Sequence, residues 1–301
     1  MTETDRLRRF LFEDAPVRGH WVRLSRSWLD AREHQTLPAP VAGLLGESLV
    51  AATLLSASLK FQGTLTLQLA GSTGRVAMLV AQSTDTRSLR GVAYEDETAA
   101  GSGARFQDLI SGGRLVVSVE QGEGVGPWQG VVPLEGACLS ACLENYFAIS
   151  EQVPTAILLA ADTEHAAGLL LQKLPTPDSL GEAAAAAVHE LWEEATALLA
   201  TLQPQELLAW EAQDLLRRLF GNRDVRLFAA EPVRFACRCD RERVASMLQG
   251  LGQTEVQSIL AEQGAVTVTC EFCQKPYRFD AIDAQGLFMD LPAGSSSGSV
   301  N

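Results

Sequence analysis

The chain has 301 residues, 47% of them hydrophobic and 20% charged, with a formal net charge of −13. That much apolar material excludes full disorder and supports a sizeable core, in one large domain or two to three small ones. The acidic balance, with a pI near 4.8, argues against a nucleic-acid partner, because duplex affinity rests on lysine and arginine. The basic residues are 21 Arg and only three Lys (Lys60, Lys173 and Lys275), a bias read as genome composition.

The opening MTETDRLRRF has no apolar h-region, so no secretory signal is expected and the setting is read as cytoplasmic. Thiols are kept reduced there, and the six cysteines are read as metal ligands, redox groups or buried apolar residues rather than a disulfide framework. The most apolar stretch, Val41–Leu59, carries Glu47, two glycines and several hydroxyl residues. It is read as a buried helix over Pro40–Leu59, not a membrane span. Leu65, Leu67 and Leu69 alternate with Thr64, Thr66 and Gln68, the period of a half-buried strand. Further strands are expected at Val76–Ala81, Leu89–Tyr94, Leu115–Val119, Ala156–Ala160 and Gly168–Lys173, with glycine turns at Gly71–Gly74 and Gly122–Gly126. A second helix is expected over Glu135–Ser150. Strands in groups with occasional helices point to an α+β core domain over residues 1–177.

Residues 178–230 read as a helical linker. Ser179 and Glu182 form an S-x-x-E capping box, followed by an apolar face of Val188, Leu191, Trp192, Ala195, Leu198, Leu199 and Leu202. Pro204 can open a second helix, with Leu208, Ala212, Leu215, Leu216 and Leu219 as its stripe and Gly221 as its stop. The outer face is acidic, and the stripe is expected to bury itself on the core domain. Residues 231–290 form a third unit, too small to rest on hydrophobic burial alone. It should hold a strand at Val233–Cys237, helices at Glu242–Leu251 and Thr254–Gln263, and a hairpin of Val266–Thr269 and Tyr277–Asp280. Residues 291–301, with GSSSGSVN, read as a flexible tail.

The strongest chemical signal is C-x-C at Cys237 and Cys239 with C-x-x-C at Cys270 and Cys273. Two close pairs, one on a hairpin turn, suit a tetrahedral zinc site of four thiolates. A thioredoxin-type motif should open a helix, whereas Pro276 and a strand follow Cys273. Arg238, Arg241, Arg243 and Lys275 lie close in sequence; they either offset the charge of the thiolates or solvate the surface. Cys138 and Cys142, four apart on an expected helix, are read as buried small residues. His189 begins HELWE without the second histidine of a zinc protease, and Gly122-x-Gly124-x-Gly126 lacks dinucleotide-loop spacing. His20, His34 and His165 have no convincing partners. No nucleophile sits in a recognisable context, so no enzyme is expected.

The chain resembles the redox-regulated 33 kDa chaperonins, the heat-shock protein 33 family, over nearly its whole length. The resemblance is carried by LLGESLVAATLLSASLKFQGTLTLQ (44–68), WQGVVPLEG (128–136), YFAISEQVPT (146–155), LLLQKLP (169–175), FACRCDRERV (235–244) and VTCEFCQKPYRFD (268–280). Two features depart from the family. Asp240 replaces a small hydroxyl residue, and Cys138 and Cys142 are additional cysteines able to form off-pathway disulfides. The resemblance implies an ATP-independent holdase of the oxidative stress response. When reduced, Cys237, Cys239, Cys270 and Cys273 would hold one zinc per chain and the protein would be inactive. Oxidation would form the disulfides Cys237–Cys239 and Cys270–Cys273, expel zinc and unfold the terminal domain and linker. The protein would then bind unfolding clients, as a homodimer, and pass them to ATP-dependent foldases. The rival classes are a zinc-containing thiol oxidoreductase and a nucleic-acid-binding protein.

Overall fold

The structure, a computed structural model, describes residues 5–96, 103–110, 112–121, 128–175 and 181–289. The turn expected around Gly122, Gly124 and Gly126, the capping residue Ser179 and the closing GSSSGSVN lie outside them. Contacts divide the chain into Met1–Ala236 and Cys237–Asn301. Both units mix helices and sheets, the α+β class expected.

The N-terminal unit opens with β1 (Arg6–Phe12), β2 (Val17–Leu24), α1 (Arg26–Arg32) and α2 (Ala39–Ser58). Next come β3 (Gly63–Ala70), β4 (Val76–Thr84), β5 (Ser88–Glu95), α3 (Phe106–Leu109), β6 (Arg114–Gln121) and β7 (Trp128–Pro133). Then follow α4 (Leu139–Tyr146), β8 (Thr155–Ala161), β9 (Ala166–Lys173), α5 (Glu182–Thr201), α6 (Pro204–Ala209) and α7 (Ala212–Phe220). The short strands β10 (Val225–Leu227), β11 (Glu231–Pro232) and β12 (Arg234–Phe235) close it. One sheet runs β10-β1-β2-β9-β8 with β11 beside β1; the other runs β12-β5-β4-β3-β6-β7. Pairing is antiparallel except for β12 on β5.

The helix α2 is apolar on all sides, which suits a helix enclosed by protein. It packs against strands of both sheets. Its hydroxyls are satisfied locally: Ser48 and Thr53 donate to the carbonyls of Leu44 and Leu49, and Ser56 and Ser58 to those of Thr53 and Leu55. Gly168 on β9 lets the helix approach, since a Cβ there would lie 2.5 Å from Val50. Among the described helices only α2 is long and apolar enough to cross a membrane, and 83% of that stretch is buried inside the protein.

The six expected strands of this unit are each two or three residues longer than the sequence pattern suggested, and four more, β1, β2, β7 and β10, stand where none was expected. Arginines at 6, 8 and 9 hid β1, although Leu7, Phe10 and Phe12 are buried. His20 and Arg23 hid β2, which is buried along almost its whole length because both its faces are covered. Strand β7 carries a tryptophan, two valines and a proline on an edge. The helix expected over Glu135–Ser150 starts only at Leu139 and ends in a π-helical turn, Phe147–Glu151.

The linker helices belong by contact to this unit. On the outer face of the first sheet Phe10, Phe12, Trp21, Leu169 and Leu171 form one apolar cluster with Leu191, Leu199, Leu207, Leu215, Leu216, Leu219 and Phe220. The second expected helix is two helices, α6 and α7, interrupted at extended Trp210 and Glu211. Gln203 and Glu206 form a capping box at the start of α6. Gly181, not Ser179, is the N-cap of α5, and Gly221 ends α7 in a right-handed conformation (φ −67°). Of the strand expected at Val233–Cys237 only β12 forms, on β5, and β11 just before it pairs with β1. The contacts therefore divide the chain after Ala236, not before Glu231.

The C-terminal unit holds α8 (Arg241–Leu251), α9 (Gln253–Gln263), β13 (Val266–Thr269), β14 (Pro276–Phe279) and α10 (Ala281–Met289). Helices and hairpin stand where the sequence placed them; α10 was not foreseen. Its apolar cluster contains six buried residues: Leu248, Val256, Val266, Tyr277, Phe279 and Ala284.

Candidate metal centre

Two backbone features present the sulfurs. Cys237 and Cys239 lie in the extended segment before α8. Asp240 then caps that helix, its carboxylate accepting from the Arg243 amide at 2.7 Å. Asp240 is thus an N-cap, a role in which Asp and Ser serve alike. Cys270 and Cys273 flank the turn between β13 and β14. The Gln274 amide donates to the Cys270 carbonyl at 2.7 Å and the Cys270 amide to the Lys275 carbonyl at 3.0 Å. Gln274 takes the left-handed conformation (φ 53°) that this tight return requires.

The four sulfurs lie within 4.8 Å of one another. Cys237 and Cys270 are 3.5 Å apart, and Cys239 and Cys273 are 3.4 Å apart. Four thiolates tetrahedral about zinc at the usual bond length would be about 3.8 Å apart. Donor type, number and spacing therefore fit a thiophilic cation. The Tyr277 hydroxyl donates to the Cys239 carbonyl at 3.0 Å or to its sulfur at 3.2 Å. Burial works to raise the Cys239 thiol, but Tyr277 and the neighbouring thiols outweigh it and leave Cys239 at about 7. Burial pushes Cys237 up, and it pushes Cys273 up with the other three thiols adding to the effect. Bonded to Cys239, the Tyr277 hydroxyl is itself held above its ordinary value. A cation is what makes four adjacent thiolates tolerable.

The nearby cations are mostly committed elsewhere. Arg241 pairs with Asp283 at 2.7 Å and lies over the Phe279 ring, and Arg243 pairs with Asp240 at 3.3 Å. Lys275 stands 5.3 Å from the Tyr277 ring centroid. Among the described residues no other group of three or more His, Cys, Asp or Glu side chains is placed to hold a metal. Cys138 and Cys142 lie in the other unit; Cys142 is buried but Cys138 is exposed, correcting the expectation that both are buried. His20 is buried and His34 exposed, while His189 sits 4.0 Å from Glu193 on the solvent face of α5. Tyr277 is the site residue that sequence reasoning missed. Its tyrosine lay in a matched segment, but only the folded hairpin brings its hydroxyl to Cys239.

A small unit whose four convergent thiols could hold a metal ion, following a two-sheet α+β unit, defines the class of protein. Residues 5–280 match the family model described as Hsp33 protein. A 33 kDa chaperonin of Pseudomonas paraeruginosa is 44% identical over 289 residues, covering 96% of each chain. One of Nitrosococcus oceani is 42% identical over 292 residues, again 96% of each. The crystal structure of a 33 kDa chaperonin, a heat shock protein 33 homolog from Thermotoga maritima, superposes with a TM-score of 0.78 at 26% identity, covering 94% of this chain and 97% of that one. The chain belongs to the Hsp33 family of chaperones.

Proposed function

We propose that the chain is an ATP-independent holdase switched on by oxidation. The observation that carries this reading is the four-sulfur cluster in a unit with only six residues in its buried apolar core. In the reduced protein Cys237, Cys239, Cys270 and Cys273 hold one zinc per chain, with Tyr277 orienting the Cys239 sulfur. Zinc would supply there the positive charge that keeps four thiolates together. Binding of this kind is worth about 10–16 kcal/mol in small domains, against about 5–15 kcal/mol for the stability of a whole domain. A unit this small depends on it.

Hydroperoxide ends that dependence. Each pair of thiolates gives two electrons to one hydrogen peroxide, which takes two protons from solvent as its O–O bond breaks and leaves as two waters, while an S–S bond closes each pair as a disulfide. The disulfides are Cys237–Cys239 and Cys270–Cys273, and zinc is released. Such bridges enclose one and two residues, so they barely constrain the unfolded chain, and they leave the two halves of the site unlinked. The C-terminal unit then unfolds, the linker helices leave the first sheet, and apolar surface becomes available to unfolding clients. The oxidised chain acts as a homodimer in the cytoplasm, catalyses no reaction and passes clients to ATP-dependent foldases. Nucleic acid and membrane are not partners. Aggregation of a chemically denatured client, followed by light scattering, tests the reading. The reduced, zinc-loaded chain should leave aggregation unchanged, and the same chain after peroxide at mild heat should suppress it. Equal suppression in both states would overturn it.

A further inference from the structure

A polar pair interrupts the apolar seam beneath the linker helices. Arg23, on β2, has a side chain only 6% exposed. Its guanidinium reaches across the seam: Nη1 donates to the Ala209 carbonyl at 3.2 Å, and Nη2 pairs with Glu211 Oε1. Ala209 is the last residue of α6 and Glu211 the N-cap of α7. The arginine fork therefore grips the linker on both sides of its break. Apolar contact is non-directional and tolerates sliding; a forked, charged hydrogen bond does not. The pair fixes where the linker sits.

The grip is also incomplete. Arg23 Nε and Glu211 Oε2 are buried with no partner in the protein, as are Trp21 Nε1 and Ser25 Oγ nearby in the sequence. A half-satisfied buried ion pair holds its elements less well than apolar side chains of the same volume, yet removing one partner strands a buried charge. The two partners are unequal, since the Glu211 side chain is 33% exposed. A cavity of about 500 Å³, lined by Arg23, Ser25, Asp162, His165, Gln205 and Glu211 among others, lies beside the pair and gives water a route to it as the seam opens.

We propose that Arg23 and Glu211 form a deliberately weak joint, which sets the register of the linker on the first sheet and keeps its docking close to release. The inference deepens the functional reading above and rests on it for the consequence that undocking activates. It has an unusual signature. Removing Glu211, which strands the buried Arg23 guanidinium, should release the linker, whereas replacing both partners by apolar residues should hold it more tightly.

Hydrogen exchange of the α6–α7 amides in the reduced, zinc-loaded full chain tests this, with the α2 amides as an internal control for an intact core. Glu211→Ala should speed α6–α7 exchange tenfold or more and suppress client aggregation without oxidant. The double variant Arg23→Met with Glu211→Leu should exchange several-fold more slowly than the natural chain and need longer peroxide treatment to become active. Should Glu211→Ala also loosen α2, Arg23→Met alone decides: its remaining carboxylate can turn to solvent, so exchange should be no faster than in the natural chain. If the double variant loosens the linker as the single one does, or if neither changes its exchange, the joint is not what we propose. If exchange follows the proposal while aggregation suppression does not, the joint stands and the reading of the linker as a mask fails.

Discussion

The two units of this chain are stabilised in opposite ways. In the N-terminal unit, α2 is enclosed between two sheets, and large side chains such as Trp21, Trp28, Tyr146 and Phe147 are fully buried. The C-terminal unit buries an apolar cluster of six residues and leaves Met247, Leu251, Ile282 and Met289 exposed. One unit stands on burial; under the proposed function the other needs a staple that chemistry can remove. A switch requires this asymmetry: the part that opens must be held by something the signal destroys, and the part that acts must survive its loss.

The largest effect should come from removing the staple. Chelation of the metal, or Cys273→Ser, should abolish amide protection throughout Arg241–Met289, an effect on the order of 10 kcal/mol. The amides of β2 and α2 should keep theirs. A C-terminal unit that stays ordered without metal would erase the contrast between the units. Replacing Cys138 and Cys142 together should leave metal content unchanged.

Next in size is Leu215→Glu. Leu215, on the linker helix α7, is fully buried against the first sheet, and an unpaired carboxylate there costs several kcal/mol. Undocking should cost less, so limited proteolysis should find the linker open, and the reduced variant should suppress aggregation. An open linker on an inactive chain would assign activation to the C-terminal unit alone.

A smaller effect sharpens the account of the N-terminal unit. Burial raises the Glu47 carboxyl on α2 from 4.5 to about 7. The folded chain thus holds that proton more tightly than the unfolded chain. The stability it contributes is fully present below about pH 4.5 and lost as pH rises through 7. Glu47→Gln should remove this dependence and make the unit more stable at pH 8, by at most about 3 kcal/mol. Denaturant midpoints at pH 5 and pH 8 check it; an unchanged difference between them contradicts it. The smallest expected effect is Asp240→Ala, which deletes the cap of α8 at a cost of about 1 kcal/mol. It should lower the temperature at which metal is lost without altering thermal unfolding of the N-terminal unit.

The sequence was most legible where one physical requirement dominates. The four cysteines needed only their spacing, and α2 only the length of its mostly apolar stretch. Alternation revealed β3 because its polar partners face away from the core. It failed at β1 and β2, where arginines held by partners remote in sequence interrupt the pattern and β2 is buried along almost its whole length. Arg8 donates to the Phe228 carbonyl, and Arg18 to Gln172 and the Ser58 carbonyl. The break between α6 and α7 was invisible for the same reason: a partner on β2 defines it. Tyr277 was legible as a residue of the matched motif but not as a hydrogen-bond donor to Cys239, which only the hairpin register decides.

The account stands or falls on which sulfurs join when the protein is activated. In the reduced structure the sulfurs at 3.4 and 3.5 Å belong to opposite halves of the site. Disulfides between those halves would close loops of about thirty residues and staple the C-terminal unit together; local ones would let it unfold. Peptide mapping of the peroxide-activated chain should therefore find Cys237 joined to Cys239 and Cys270 joined to Cys273. Dominant bridges from Cys237 to Cys270 and from Cys239 to Cys273, or to Cys138 or Cys142, would contradict the claim that oxidation works by releasing this unit.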